Sequence, residues 1–145
     1  MIDLSGYRMG DKMAAALATA IPRMAEQGVT LRELRLAKNL TSSSSKGAVA
    51  LCEAIESCPE LELLDLSGNM LRKEGGAALQ ECVGCLNSLA ELHIADIHLD
   101  DTTMAGLIKS FCSMPELTAL DLSDNQMAAR HGRPSKGYQP SQVSY

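Results

Sequence analysis

Cys82-Val83-Gly84-Cys85 is the arrangement in this 145-residue chain that comes nearest to a chemical motif. Cysteines at i and i+3 share one face of a helix, and such a pair can begin a zinc site. Zinc needs four ligands, however, and no second pair stands at ligand spacing. Cys82 falls between Leu79 and Leu86 on an apolar face, so the pair is expected to act as small hydrophobic filler. His93 is expected mid-strand and outward-facing, either as a solvated side chain or as a pH-sensitive contact. His98 and His131 fall in a loop and in the tail, with no partners identifiable from sequence. Gly75-Gly76 lacks the Lys-Ser/Thr that follows the glycines of a phosphate loop, and is ascribed to a tight turn into a helix. No Gly-x-Ser-x-Gly or His-Glu-x-x-His occurs. No catalytic, cofactor-binding or metal-ligating residue is therefore assigned, and the chain is expected to be a non-enzyme without a cofactor.

Composition narrows the alternatives. Hydrophobic residues form 46% of the chain, enough for a real core. Aromatics form 3%, with no Trp and a single Phe, so that core must be aliphatic. No apolar run approaches the roughly 20 residues needed to cross a bilayer. The start, Met1-Ile2-Asp3-Leu4, is not a secretory signal. Five cysteines, an odd count, then point to reduced thiols and a cytoplasmic setting, with a nuclear one equally compatible. The formal charge of −5 is unevenly spread. All 18 acids precede residue 128, against ten Lys and Arg, whereas the remainder holds Arg130, Arg133 and Lys136 and no acid. An acidic body speaks against nucleic acid as partner and for a protein with a basic surface.

The positioning elements come from an internal repeat. Leu31-x-x-Leu34-x-Leu36-x-x-Asn39 recurs as Leu61, Leu64, Leu66, Asn69, as Leu89, Leu92, Ile94, Ile97 and as Leu117, Leu120, Leu122, Asn125. The first leucines lie 30, 28 and 28 residues apart. Ile2-Asp-Leu4-Ser-Gly-Tyr7 is a clipped earlier copy. Between these segments Met13…Leu17…Ile21…Met24, Gly47…Leu51…Ile55…Cys58, Gly75…Leu79…Val83…Leu86 and Thr103…Leu107…Phe111…Met114 keep helical spacing. Pro59 and Pro115 follow two of these helices, where a helix must stop. Of the eight methionines, Met13, Met24, Met104 and Met114 take core places in them. Extra residues fall in the Ser42–Ser45 loop and between Arg23 and Thr30.

This pattern resembles the leucine-rich repeat, and its period and full helix resemble the ribonuclease-inhibitor-like class. The resemblance implies an α/β horseshoe over residues 1–127, with parallel strands concave and helices convex. Stacking agrees with it independently, since a unit this small cannot bury its core alone. The pattern asparagine is expected to bond loop backbone groups from repeat to repeat. Tyr7 and Ile97 replace it, and packing is expected to absorb both departures. Residues 128–145 hold four Gly and Pro within a short span and no periodicity, so they are expected to form a flexible basic tail. Folding back over the last repeat is the alternative. Neither end carries an obvious capping repeat, which leaves a fragment of a larger protein as a further expectation.

Strand alternation sends the third, fifth and seventh places of each repeat outward. With neighbouring places added, the concave face should display Glu33, Arg35, Lys38, Leu63, Asp65, Glu91, His93, Asp96, Asp121 and Asp124. These ten are the expected partner-binding residues, largely acidic, with Arg35 and Lys38 of contrary charge. Proteins with similar repeats inhibit ribonucleases, activate small GTPases, cap actin filaments or act as sensor segments of immune receptors. The resemblance thus implies a protein-interaction module, and the acidic charge and the lack of a long apolar run give the expectation of no nucleic-acid or membrane partner. The alternative is an enzyme regulator such as a GTPase activator, presenting Arg8, Arg35 or Arg72 at an edge.

Overall fold

A computed structural model describes residues 1–40 and 45–125. Five short strands alternate with four helices: β1 (Ile2–Asp3), α1 (Gly10–Glu26), β2 (Glu33–Arg35), α2 (Lys46–Ile55), β3 (Leu63–Asp65), α3 (Arg72–Val83), β4 (Glu91–His93), α4 (Asp101–Phe111) and β5 (Ala119–Asp121). The strands form one parallel sheet in sequence order. Ile2, Leu34, Leu64, Leu92 and Leu120 stand opposite one another along it. Each helix supplies the long crossover that a parallel pair requires, and each packs on the next. Strands repeat about every 4.8 Å, whereas packed helices sit about 8–10 Å apart. A stack of such units must therefore curve with its sheet inside.

Between the layers lies the aliphatic core that the repeat predicted. Leu34, Leu36, Leu51, Ile55, Leu61, Leu64, Leu66, Leu79, Leu86 and Leu89 are all essentially inaccessible. Cys52 and Cys82 join them, and burial pushes the Cys52 thiol up to about 12. Cys82 is raised by the same cause. Both remain protonated at neutral pH and behave as apolar groups.

Several expectations need correction. Gly75 and Gly76 do not form a turn into a helix; both lie inside α3, with ordinary negative φ. Their role is close approach. A Cβ on Gly75 would meet the Ala48 Cβ at 2.9 Å, and one on Gly76 would meet Leu99 Cδ2 at 2.6 Å and Thr103 Cγ2 at 2.7 Å. Gly47 serves the same end against Ala14, at 3.0 Å. Glycine at these crossings narrows the helix spacing and so limits the curvature. Met13, expected in the core, is exposed. It holds the place that Gly47, Gly75 and Thr103 turn toward the preceding helix, and α1 has no such neighbour among the described residues. The extra residues near Arg23 lengthen α1, which continues through Pro22 to Glu26 before Gly28 (φ +77°) ends it. Cys85 lies beyond the end of α3 and is exposed while Cys82 is buried, so the two share no face. The Ser42–Ser44 stretch and the tail 128–145 lie outside the described residues.

Candidate concave interface

The concave face is a ladder whose columns are set by strand register. The central column reads Asp3, Arg35, Asp65, His93, Asp121. The adjacent one reads Glu33, Leu63, Glu91, Ala119. A third set, Gly6, Lys38, Gly68, Asp96 and Asp124, occupies the turn after each strand, and all five residues have positive φ. Lys38, Asp96 and Asp124 are therefore presented from a shared left-handed turn at the rim of the sheet, not from the strands. That conformation disfavours a side chain with a Cβ. Glycine adopts it freely, and the Lys38 side chain lies across Gly68, where a Cβ would come 2.9 Å from its Cγ.

Register divides the face into two electrostatic halves. On β2, Arg35 Nη1 lies 2.6 Å from Glu33 Oε2 and 3.2 Å from Met1 Sδ. Arg32 is likewise paired with Glu62, with Glu60 at 3.8 Å. This half neutralises itself, so Glu33 and Arg35 are partners to each other before they can be partners to anything else. From β3 to β5 the residues 63–69, 91–98 and 119–125 hold Asp65, Glu91, Asp96, Asp121 and Asp124 and no Lys or Arg. The histidines are the only possible counter-charges there. His93 Nε2 is 3.6 Å from Glu91 Oε2, and His98 Nε2 is 3.3 Å from Asp96 Oδ1. His98 thus has a partner that sequence did not identify.

Leu63 is the one buried residue among the ten. It faces outward in register but is only 9% exposed. Glu33 and Glu91 flank it in the ladder.

The aspartates of the central column have a second employment that was overlooked. Asp3, Asp65 and Asp121 each begin an Asp-Leu-Ser triplet, and each Oδ1 accepts the N–H of the serine two residues on, at 2.9–3.0 Å. Ser123 Oγ adds a bond of 2.7 Å to Asp121. Burial pushes the Asp121 carboxyl up, but the two Ser123 bonds and nearby His93 outweigh it and hold the group below the usual range. Asp3 is lowered mainly by its Ser5 bond. The signal was legible: Asp-Leu-Ser stands at 3–5, 65–67 and 121–123, while the intervening repeats carry Arg35-Leu36-Ala37 and His93-Ile94-Ala95. These carboxylates close the strand-end turn.

Behind the rim runs the asparagine ladder. Asn69 Oδ1 accepts the N–H of Asn39 at 2.9 Å and of Leu40 at 2.6 Å. Its Nδ2 donates to Leu66 O at 2.6 Å and to Leu36 O at 3.0 Å. Asn39 reaches back to Leu4 O at 2.7 Å. Asn125 spans to Ile94 O at 2.7 Å and accepts from Ile97 N–H at 3.0 Å. Ile97 has no such oxygen to offer, yet it is fully buried and the strand register continues across it. Packing absorbs that departure. Tyr7 is instead exposed on the surface.

Among the described residues no group of three or more His, Cys, Asp or Glu is placed to hold a metal, and no helix is long and apolar enough to cross a membrane. A cleft of about 290 Å³ lies between the end of α1 and the turn after α2, lined by Gly28, Val29, Leu31, Cys58, Pro59 and others. Burial raises the Cys58 thiol there, against a weaker opposing effect of Ser57.

Comparison with known proteins agrees with this geometry. The family model described as Leucine Rich repeat matches residues 57–79 and 114–129. The chain is 32% identical over 111 residues to NLR family CARD domain-containing protein 4 of Mus musculus, an alignment covering 72% of this chain and 10% of that protein. The C-terminal domain of tropomodulin from Caenorhabditis elegans superposes with a TM-score of 0.64 at 16% identity, covering 74% of this chain and 65% of that one. An internalin of Listeria monocytogenes aligns at 17% identity and a TM-score of 0.46, over 74% and 33%. The chain thus spans a tenth of the mouse protein it matches and less than two thirds of the tropomodulin domain. With the consensus in register on five parallel strands, a helix crossover between each pair and an asparagine ladder behind them, the chain is a leucine-rich-repeat protein.

Proposed function

We propose that this chain is a protein-interaction module whose binding surface is the acidic half of the concave face, β3 to β5, and whose partner presents a basic surface. One observation carries the reading: five carboxylates stand on that half with no Lys or Arg among them. Asp96 and Asp124 stand one strand spacing apart, about 4.8 Å, and Asp65 and Asp121 stand two apart with His93 between them. Such like charges repel unless they are solvated or countered, and a basic partner would relieve that repulsion. Leucine-rich-repeat proteins generally bind and do not catalyse, which supports the absence of an enzymatic role. The period near 28 and the helix in every full repeat support the ribonuclease-inhibitor-like class. Free thiols at all five cysteines support a reducing compartment, the cytoplasm.

The enzyme-regulator alternative has less in its favour. Arg35 is held by Glu33; of the other two candidates, Arg8 is exposed in the turn after β1 and Arg72 is exposed at the start of α3.

Affinity capture with the full chain, followed by joint reversal of Asp65, Glu91 and Asp121 to Lys, tests the proposal. Binding should weaken, chiefly through a slower and salt-sensitive association. Reversal of Glu53 and Glu81 on the convex helices should leave it unchanged. Sensitivity to the helix pair with indifference to the strand set would move the interface to the convex side.

A further inference from the structure

We infer that the basic segment from Arg130 to Lys136 is an intramolecular occupant of this acidic half-face, which a partner must displace. The inference rests on the reading above and adds a regulator to it. Its first ground is charge segregation: every acid precedes residue 128, and every charge after it is positive. A second ground is position. β5 bears Asp121, the turn after it bears Asp124, and the described residues end at Asn125, beside them. Arg130 follows five residues later. An extended chain covers about 3.3–3.6 Å per residue, so those five residues reach roughly 17 Å. From β5 to β3 is two strand spacings, roughly 10 Å. Asp121, Glu91 and Asp65 are thus all within range of the three cations.

The face also selects among destinations. On β2, Arg35 and Lys38 oppose a basic segment, and Glu33 and Glu62 are already paired. On the convex side the acids Glu53, Glu74 and Glu81 are interspersed with Lys46, Arg72, Lys73 and Lys109. The β3–β5 strip holds five acids and no Lys or Arg. Tethering makes the encounter intramolecular, at an effective concentration near the millimolar range. Individually weak, screened pairs can then compete with a partner in trans, and the competition should fade as salt rises.

Zero-length carbodiimide coupling on dilute, full-length protein tests this by joining touching carboxylates and amines. In low salt, mass spectrometry of the monomer should find Lys136 linked to one of Asp65, Glu91, Asp96, Asp121 or Asp124. That link should be lost at high salt and in a variant combining Asp65→Asn, Glu91→Gln and Asp121→Asn, with unchanged circular dichroism. Lys136 linked equally to Glu53 or Glu81, or left unlinked in low salt, would overturn the inference. Links found only between isotopically light and heavy chains would overturn it too, because the contact would be intermolecular. The assay uses no partner, so its outcome is separable from the capture experiment. A concave link with capture indifferent to the concave reversal would remove the proposed interface and keep the intramolecular contact; the opposite pattern would do the reverse.

Discussion

Residues 61–69 and 117–125 are nearly the same sentence: Leu-x-Leu-Leu-Asp-Leu-Ser-Gly-Asn against Leu-x-Ala-Leu-Asp-Leu-Ser-Asp-Asn. Their surroundings differ sharply. Leu61, Leu64, Leu66 and Asn69 are inaccessible, whereas Leu117, Leu120, Leu122 and Asn125 are only half-buried. β3 has a strand on either side; among the described residues β5 has one. A consensus leucine therefore does not bring its own burial. Half of it comes from the preceding repeat and half from the following one, as expected of a solenoid whose stability is a sum of neighbour interfaces.

The largest test of this contrast is a matched pair of truncations. Leu64→Ala should cost about 2–5 kcal/mol through lost transfer energy and a cavity that cannot collapse. Leu120→Ala, half-open already, should cost clearly less in the same urea titration. Equal losses would mean that the end strand is covered as thoroughly as the middle one.

Overpacking sharpens the contrast from the helix side. Gly76→Ala would place a methyl 2.6 Å from Leu99 Cδ2 and should destabilise by about 1–3 kcal/mol, although alanine is the better helix former by about 1 kcal/mol. A stabilised variant in thermal denaturation would show that the α3–α4 contact has slack. The asparagines supply a comparable pair. Asn69→Ala leaves the buried N–H groups of Asn39 and Leu40 without their acceptor, at about 1–3 kcal/mol. Asn125→Ala should cost less, because water can reach the groups it bridges. Hydrogen exchange at Leu40 and Ile97 reports the two separately.

The smallest effect is a pH dependence. Asp121 is held below its ordinary carboxyl range in the folded chain, so folding favours its ionised form. That contribution is present above the unfolded value, near pH 4, and is lost as pH falls through the lower folded value. Asp121→Asn should flatten the acid limb of stability against pH below about 4 and leave the neutral region nearly unchanged. An unaltered acid limb would show that the Ser123 bonds are equally good to the neutral acid.

Much of the fold was legible because burial in a repeat protein is periodic. Leu34, Leu64 and Leu92 recur at one register and land opposite one another on the sheet. The concave columns followed by alternation, which is why Asp65, His93 and Asp121 fall in line. What escaped was contact between repeats. Gly75-Gly76 suggested a turn because glycine permits one, and nothing local reveals Ala48 on one side and Thr103 on the other. Alternation puts Leu63 on the outward face but says nothing of its burial, and its neighbours in register, Glu33 and Glu91, stand 30 and 28 positions away.

The division between the two sources of information is therefore physical. By itself the sequence determined the unit: strand, turn, helix and the inward leucines, each a matter of local periodicity and stereochemistry over fewer than thirty residues. It also determined that acid and base are segregated along the chain. Only the tertiary structure decided which of those charges remain uncompensated. Glu33 and Arg35 lie two residues apart in an extended strand and close on each other at 2.6 Å. Glu62 is taken by Arg32 of the neighbouring repeat. Glu91 and Asp121 meet no Lys or Arg on the described strands beside them, and Asp65 meets only Arg35, which Glu33 already holds. Coulomb interaction depends on distance in space, and stacking sets that distance.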